Sequence, residues 1–279
     1  MIVRRPAVAG SFYPEDPQDL RSLIRSSYTN PLGPGSLPPS GDERRGVVAC
    51  VCPHAGYVYS GPVAAHSYLW LSSLRRPELV VIVGPNHYGV GSGISTFREG
   101  EWATPLGNLP VDAQAARRIV ELTGLVDYDP ESHRREHSIE VQLPFLQEIY
   151  GEFKILPISL AFQDVETARE LGRGLSTLLK GRDAVLIASS DLTHYEPAAT
   201  AREKDLALLE AVQNLDTGSF YDVLEEKRIT ACGYGAIATV MEASRLLGLK
   251  RGELLKYASS GDTTGDNDAV VGYPSVSFR

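Results

Sequence analysis

Residues 46–52 read GVVACVC and run directly into Pro53-His54-Ala55-Gly56-Tyr57, and residues 79–83 read LVVIV and run into Gly84-Pro85-Asn86-His87. Apolar runs of this length, unalternated and closed by turn-forming residues, fit strands covered on both faces. Parallel strands in an α/β layer are buried in that way. Two further runs of the same kind follow, Phe153 to Ser159 and Ala184 to Ala188. Helical patterns fall between and around them, at Pro17 to Ser27, Val63 to Leu74, Asp112 to Leu122, Asp164 to Leu179, Ala198 to Val212, Phe220 to Glu225 and Tyr234 to Leu247. Strands at Glu253 to Ser259 and Ala269 to Phe278 close the chain. This order predicts one α/β domain over residues 1–279, a central sheet flanked by helices on both faces. Asp16 before Pro17 reads as a helix cap. Pro144 should kink or split the apolar-striped segment from Glu136 to Ile149. Asn30 to Arg45, rich in Pro, Gly and Ser, reads as a flexible surface loop.

Composition narrows the class. With 43% hydrophobic and 22% charged residues over 279 positions, the chain is an ordinary globular one, not disordered, collagenous or coiled-coil. Its 27 basic against 35 acidic residues, net −8, argue against nucleic acid and anionic membrane surfaces as partners. Three cysteines, Cys50, Cys52 and Cys232, are too few and too odd for a disulfide framework, which points to a reducing cytoplasm. No apolar signal-like segment follows Met1, and no apolar run reaches the ~18 residues of a membrane span.

Functional side chains in α/β sheets gather beyond the carboxyl ends of the strands. Three of the six histidines fall there: His54, His87, and His194 in Ser190-Asp191-Leu192-Thr193-His194-Tyr195. A single such histidine is usually a hydrogen-bonded structural residue. Three at equivalent positions point to a metal or acid/base centre, since neutral imidazole is the commonest metal ligand. Cys232 sits at a Gly-rich turn into a helix, where a thiolate is favoured, although a small buried hydrophobe is the plainer alternative. Cys50 and Cys52 read as strand packing. Asp191, three residues before His194, could orient that imidazole, or simply cap a helix. The acidic loop from Gly261 to Asp268 resembles part of a calcium loop but lacks the closing glutamate, and reads as a surface or active-site loop. His133-Arg134-Arg135-Glu136-His137 matches the H-x-x-E-H pattern of inverted zincins. Asp129-Pro130 and Ser132 suggest that the chain turns there, against helical placement of the two histidines.

Taken together, several blocks resemble the MEMO family, whose bacterial and archaeal members are also called AmmeMemoRadiSam system protein B. They are Arg5-Pro6-Ala7-Val8-Ala9-Gly10-Ser11-Phe12-Tyr13-Pro14, Pro53-His54-Ala55-Gly56-Tyr57-Val58-Tyr59-Ser60-Gly61 and Gly84-Pro85-Asn86-His87. The likeness continues through Glu136-His137-Ser138-Ile139-Glu140-Val141-Gln142-Leu143-Pro144, Ser189-Ser190-Asp191-Leu192-Thr193-His194-Tyr195 and Gly272-Tyr273, nearly end to end. The resemblance implies a fold like that of class III extradiol ring-cleaving dioxygenases, which hold non-haem Fe(II) with two histidines and a glutamate. It places His54 and His87 as the histidine ligands and His194 as a second-sphere acid/base group. Cys232 stands where the carboxylate ligand would be, so a softer or redox-active metal, copper included, competes with iron, and ring cleavage is in doubt.

Three readings follow. The first is a cytoplasmic protein with an iron or copper ion on His54, His87 and Cys232 and with His194, oriented by Asp191, moving protons in redox or oxygen chemistry on a small molecule. The second is a binding module that holds a small molecule or peptide in the same pocket, walled by Tyr57, Tyr59, Tyr88 and Tyr195. The third, far weaker, is a zinc peptidase on His133 and His137. The family's other name implies a radical-SAM protein as partner.

Overall fold

The computed structural model describes residues 2–39, 46–73 and 75–279. Its strands are β1 (Val3–Arg4), β2 (Val47–Cys52), β3 (Leu79–Pro85), β4 (Ile94–Thr96), β5 (Glu101–Thr104), β6 (Gly107–Pro110), β7 (Asp127–Tyr128), β8 (Ile155–Leu160), β9 (Ala184–Ser189), β10 (His194–Glu196), β11 (Gly252–Ser259) and β12 (Val270–Phe278). Its α-helices are α1 (Pro17–Thr29), α2 (Tyr57–Leu71), α3 (Ala113–Thr123), α4 (Glu131–Arg134), α5 (Leu143–Tyr150), α6 (Val165–Leu179), α7 (Ala198–Gln213), α8 (Thr217–Glu226), α9 (Tyr234–Leu246) and α10 (Ser260–Thr264). Among the described residues, no helix is long and apolar enough to cross a membrane.

The main sheet runs β10-β12-β2-β9-β3-β8-β4-β7, with β11 paired to β12. Its centre is the parallel set β2, β9, β3 and β8, and β12 and β4 add antiparallel flanks. The continuous apolar runs have their explanation here, because alternate residues feed two cores. Ala49, Val51, Val81, Val83, Leu186 and Ala188 pack on one face with apolar residues of α3, α6 and α9. Val48, Cys50, Cys52, Val80, Ile82, Val185 and Ile187 pack on the other with α1, α2 and α5. A strand whose two faces both meet helices has no place for the polar half of an alternating pattern. Cys50 and Cys52 belong to the second core, their sulfurs 3.7 Å apart and fully buried.

A three-stranded sheet, β1-β5-β6, lies apart from the main one. It brings the N-terminal segment onto the stretch from His133 to Glu140. Arg4 stacks over Trp102 at 4.4 Å, donates from Nε to the His133 carbonyl at 3.1 Å, and bonds the Glu136 carbonyl and the Glu140 carboxylate. Buried Glu140 also accepts from Ala7 N (2.7 Å), Val8 N (3.1 Å) and Tyr13 Oη (2.5 Å).

Several expectations are corrected. The helix expected from Val63 begins six residues earlier, at Tyr57, and absorbs Pro62 inside its length; its expected last residue, Leu74, lies outside the described residues. Of the two outcomes expected at Pro144, a kink or a split, the segment from Glu136 to Ile149 is split and no helix is kinked. Pro144 falls at the start of α5, where no N–H partner is required, behind a 3₁₀ turn at Glu140–Gln142. The loop after Ser259 contains α10, closed by a capping box in which the Asp262 carboxylate accepts from Ser259 N at 2.7 Å. Of the loop expected from Asn30 to Arg45, residues 40–45 lie outside the described ones. The part before them is anchored: His66 Nε2 donates to the Leu32 carbonyl at 3.0 Å, and Gly35 N to that of Tyr28 at 2.8 Å.

Candidate metal centre

Because β2, β9 and β3 are parallel neighbours, their carboxyl ends open side by side. His54 leaves β2 through Pro53, and His87 leaves β3 through Asn86. Ser189 ends β9, and Ser190 and Asp191 follow it. Cys232 arrives from the opposite direction, on the turn into α9. Gly233 lets this turn approach, since a Cβ there would press into the Ser189 carbonyl and the Ser190 side chain. Gly233 N donates to Ser190 Oγ (2.9 Å) and Asp191 N to Cys232 Sγ (3.3 Å). Gln163, from the loop after β8, clamps the same turn, donating to the Cys232 carbonyl and accepting from Gly235 N.

The donor atoms of His54, His87 and Cys232 come within 4.8 Å of one another. Cys232 Sγ is 3.1 Å from His54 Nε2, and the rings of His54 and His87 meet edge to face at 5.1 Å. Burial and the nearby His87 and His137 rings hold the His54 imidazole well below its usual pKa, hence neutral, the form that binds a metal. Burial and the Asp191 charge push the Cys232 thiol up. A bound cation reverses that, because a coordinating thiol is deprotonated outright. Ions held by imidazole and thiolate sit about 2.0–2.3 Å from N and S, which sets neighbouring donors about 3–4 Å apart, and the 3.1 Å between His54 Nε2 and Cys232 Sγ fits that spacing.

His87 is held by a carboxylate. Glu136 accepts from His87 N (2.7 Å) and His87 Nδ1 (2.9 Å), and from His137 N and Ser138 N (2.8 Å each). Burial alone would push this carboxyl up. The hydrogen bond from His87, the imidazoles of His87 and His137 and the Ser138 amide outweigh it, so Glu136 stays well below the carboxylate range. A carboxylate on Nδ1 leaves the Nε2 lone pair of His87 for a ligand. Glu136 also belongs to a second group of metal-binding residue types, with His87 and His137. Its oxygens already accept four N–H donors, so it serves as an orienting group.

His137 is a residue the strand-end pattern missed. Its ring stacks on His87 at 4.7 Å, faces His54 at 5.5 Å and is backed by Phe12 at 4.7 Å. Burial lowers its pKa to about 4, against the attraction of Glu136. The only signal for it was the block Glu136-His137, which local spacing pairs with His133. That pairing is corrected: α4 ends at Arg134, and His133 points away into a pocket of Phe97 and Trp102, its Nε2 3.2 Å from Ser95 Oγ. The two histidines do not share a helix face, so the zincin arrangement is absent.

The expected contact between Asp191 and His194 is also corrected. Asp191 Oδ1 accepts from His54 N at 2.8 Å, and burial raises its carboxyl to about 6 against that bond. His194 instead donates from Nδ1 to the Thr230 carbonyl (2.9 Å), and its amide donates to Thr230 Oγ1 (2.8 Å). The turn there is irregular, with Tyr195 at φ 59 and a register shift between β10 and β12. The expected tyrosine wall divides. Tyr57 is buried, bonding the Val141 carbonyl, whereas Tyr59 (42% exposed), Tyr88 (46%) and Tyr195 (78%) are open to solvent.

Comparison with known proteins covers nearly the whole chain. The model of the family described as Memo-like protein matches residues 4–277. A MEMO1 family protein of Nitrosopumilus maritimus is 46% identical over 278 residues, 99% of this chain and 100% of that one. One from Methanopyrus kandleri is 46% identical over 279 residues, covering 99% of each. The crystal structure of an uncharacterized protein from Escherichia coli K12 superposes with a TM-score of 0.59 at 17% identity, over 85% of this chain and 100% of that one, and shows likeness of fold alone. With sequence relatives at this identity over both full lengths, the chain belongs to the Memo family.

Proposed function

We propose that this Memo-family protein is a cytoplasmic metal protein in which His54 Nε2, His87 Nε2 and Cys232 Sγ hold an iron or copper ion for redox or oxygen chemistry on a small molecule. One observation carries it: three donors from positions 54, 87 and 232 converge within 4.8 Å at the carboxyl ends of the parallel strands. Two imidazoles and a thiolate favour a soft or redox-active ion, and when bound it supplies Lewis acidity and one-electron chemistry. The protein's own groups do the rest. Glu136 orients His87, Asp191 pins the backbone at His54, and Gln163 with Gly233 fixes the Cys232 turn. His194, its Nδ1–H engaged by Thr230, presents Nε2 as a proton carrier at the rim. Anaerobic reconstitution followed by elemental analysis is expected to give near-stoichiometric iron or copper, lost in His54→Ala and Cys232→Ala. Equal occupancy in those variants refutes the ligand set.

The exposed rings of Tyr59, Tyr88 and Tyr195 favour a second reading, a module that binds an aromatic small molecule or a peptide without turnover. Oxygen uptake with catechol-like substrates and Fe(II) separates the two: sustained uptake lost in His194→Ala supports catalysis, and no uptake supports binding. Co-purification tests a radical-SAM protein as partner.

A further inference from the structure

We propose that Ser189, directed by Gln142 and the Ser138 carbonyl, fixes which nitrogen of His54 carries hydrogen and so aims the Nε2 lone pair at Cys232. Its effect on metal affinity rests on the metal-centre reading above; the tautomer itself does not.

The assignment follows from donors and acceptors. Ser189 Oγ is fully buried and has three polar neighbours: the Ser138 carbonyl at 2.6 Å, Gln142 Nε2 at 2.8 Å and His54 Nδ1 at 2.9 Å. The Ser138 carbonyl can only accept. Gln142 presents its nitrogen, because that atom also faces the Pro53 carbonyl at 3.0 Å while its oxygen accepts from Tyr68 Oη. A hydroxyl owns one hydrogen. Spent on Ser138, it leaves two lone pairs, one for the Gln142 amide and one for His54, so His54 must donate from Nδ1. The reverse arrangement would set a bare carbonyl oxygen against a bare hydroxyl oxygen in a buried site, leaving an unsatisfied acceptor. His54 therefore presents an unprotonated Nε2 to Cys232 Sγ, 3.1 Å away. The carboxylate of Glu136 does the same for His87. The two candidate ligands thus share a tautomer, one set by a charged group and the other by a relay of neutral ones. Ser189 and Gln142 are positioning residues in this scheme.

Long-range ¹H–¹⁵N correlation of histidine-labelled, metal-free protein tests it, with the His54 signals assigned by their loss in His54→Ala. The wild-type spectrum is expected to show His54 protonated at Nδ1, with a pyridine-type Nε2. Ser189→Ala is expected to move His54 to a mixture or to the other tautomer while His87 keeps its pattern, and Ser189→Thr to restore the original. Zinc affinity, measured by chelator competition, is expected to fall about 10–100-fold in Ser189→Ala. Wild-type His54 protonated at Nε2, or an unchanged His54 pattern in Ser189→Ala, overturns the proposal. Should Ser189→Ala fail to fold, the wild-type spectrum decides alone. A wild-type protein that binds no zinc, iron or copper refutes the metal-centre reading and leaves the His54 tautomer unaffected.

Discussion

Replacing Glu136 by glutamine changes one atom and tests how much the carboxylate contributes. In the native site, Oε1 accepts from His87 Nδ1, His137 N and Ser138 N, while Oε2 accepts from His87 N. A glutamine oxygen placed at Oε1 keeps the first three, but its NH₂ then faces the His87 amide, donor against donor. The loss is one charge-assisted bond, about 1.5–3 kcal/mol, together with a buried unsatisfied donor, about 1–3 kcal/mol. The flipped amide is worse, since three donors then face nitrogen. A net cost of about 3–5 kcal/mol against a total of about 5–15 kcal/mol leaves a folded but weakened protein. With a urea dependence of about 3 kcal/mol per molar, the unfolding midpoint should drop by about 1–1.7 M. His87 also loses the anion that holds its Nδ1 and orients its ring, so zinc affinity should fall about 10–100-fold. Urea unfolding followed by circular dichroism, with chelator competition on the folded variant, reads both quantities. An unchanged midpoint together with full zinc affinity would show that Glu136 neither supports this region nor aims His87.

Burial and the charge of Arg4 lower the His133 pKa to about 3. The unfolded chain takes up that proton near 6.5, so between these values the unfolded state binds more protons and stability rises with pH. The His133 contribution is complete above pH 6.5 and is lost as pH falls toward 3. His133→Gln is expected to flatten the acid limb by about 1.4 kcal/mol per pH unit between pH 6 and 4, read by urea unfolding at each pH, and to leave metal content unchanged. Lower metal content would revive the peptidase motif. Arg4→Met leaves the Glu140 carboxylate buried without its cation, and is expected to cost about 3–5 kcal/mol in thermal or urea unfolding; a loss below 1 kcal/mol would show that the amides of Ala7 and Val8 suffice.

The central strands can be read from the sequence because nothing competes with the signal. Val80 to Val83 and Ala184 to Ala188 are apolar at every position since both faces are covered. Helix starts are readable where an aspartate accepts from the first amides, as Asp16 does for Gln18 and Asp19. The short strands β4 to β7 carry two to four residues each, and their pairing is decided by partners far along the chain, so no local pattern announces them. The same division holds at the site. Histidines after apolar strands stand out by position, and Cys232 by its glycine-rich turn. The choice of Thr230 over Asp191 as partner for His194 depends on the irregular turn at Tyr195, which spacing does not encode. Ser189 and Gln142 are ordinary residue types whose role exists only once the Ser138 carbonyl and the Tyr68 hydroxyl lie beside them.

The span of the site along the chain has a kinetic consequence. His54 and Cys232 are 178 residues apart, and the amides of Ala7 and Val8 reach Glu140 across more than 130 residues. Contacts this distant form late, after local helices, and make folding slow. While they form, lone imidazoles and a lone thiol are offered to the surrounding solution one at a time, each too weak a partner to retain an ion. Loading is then a property of the finished molecule, and an ion supplied during refolding should be captured only as the last tertiary signal appears.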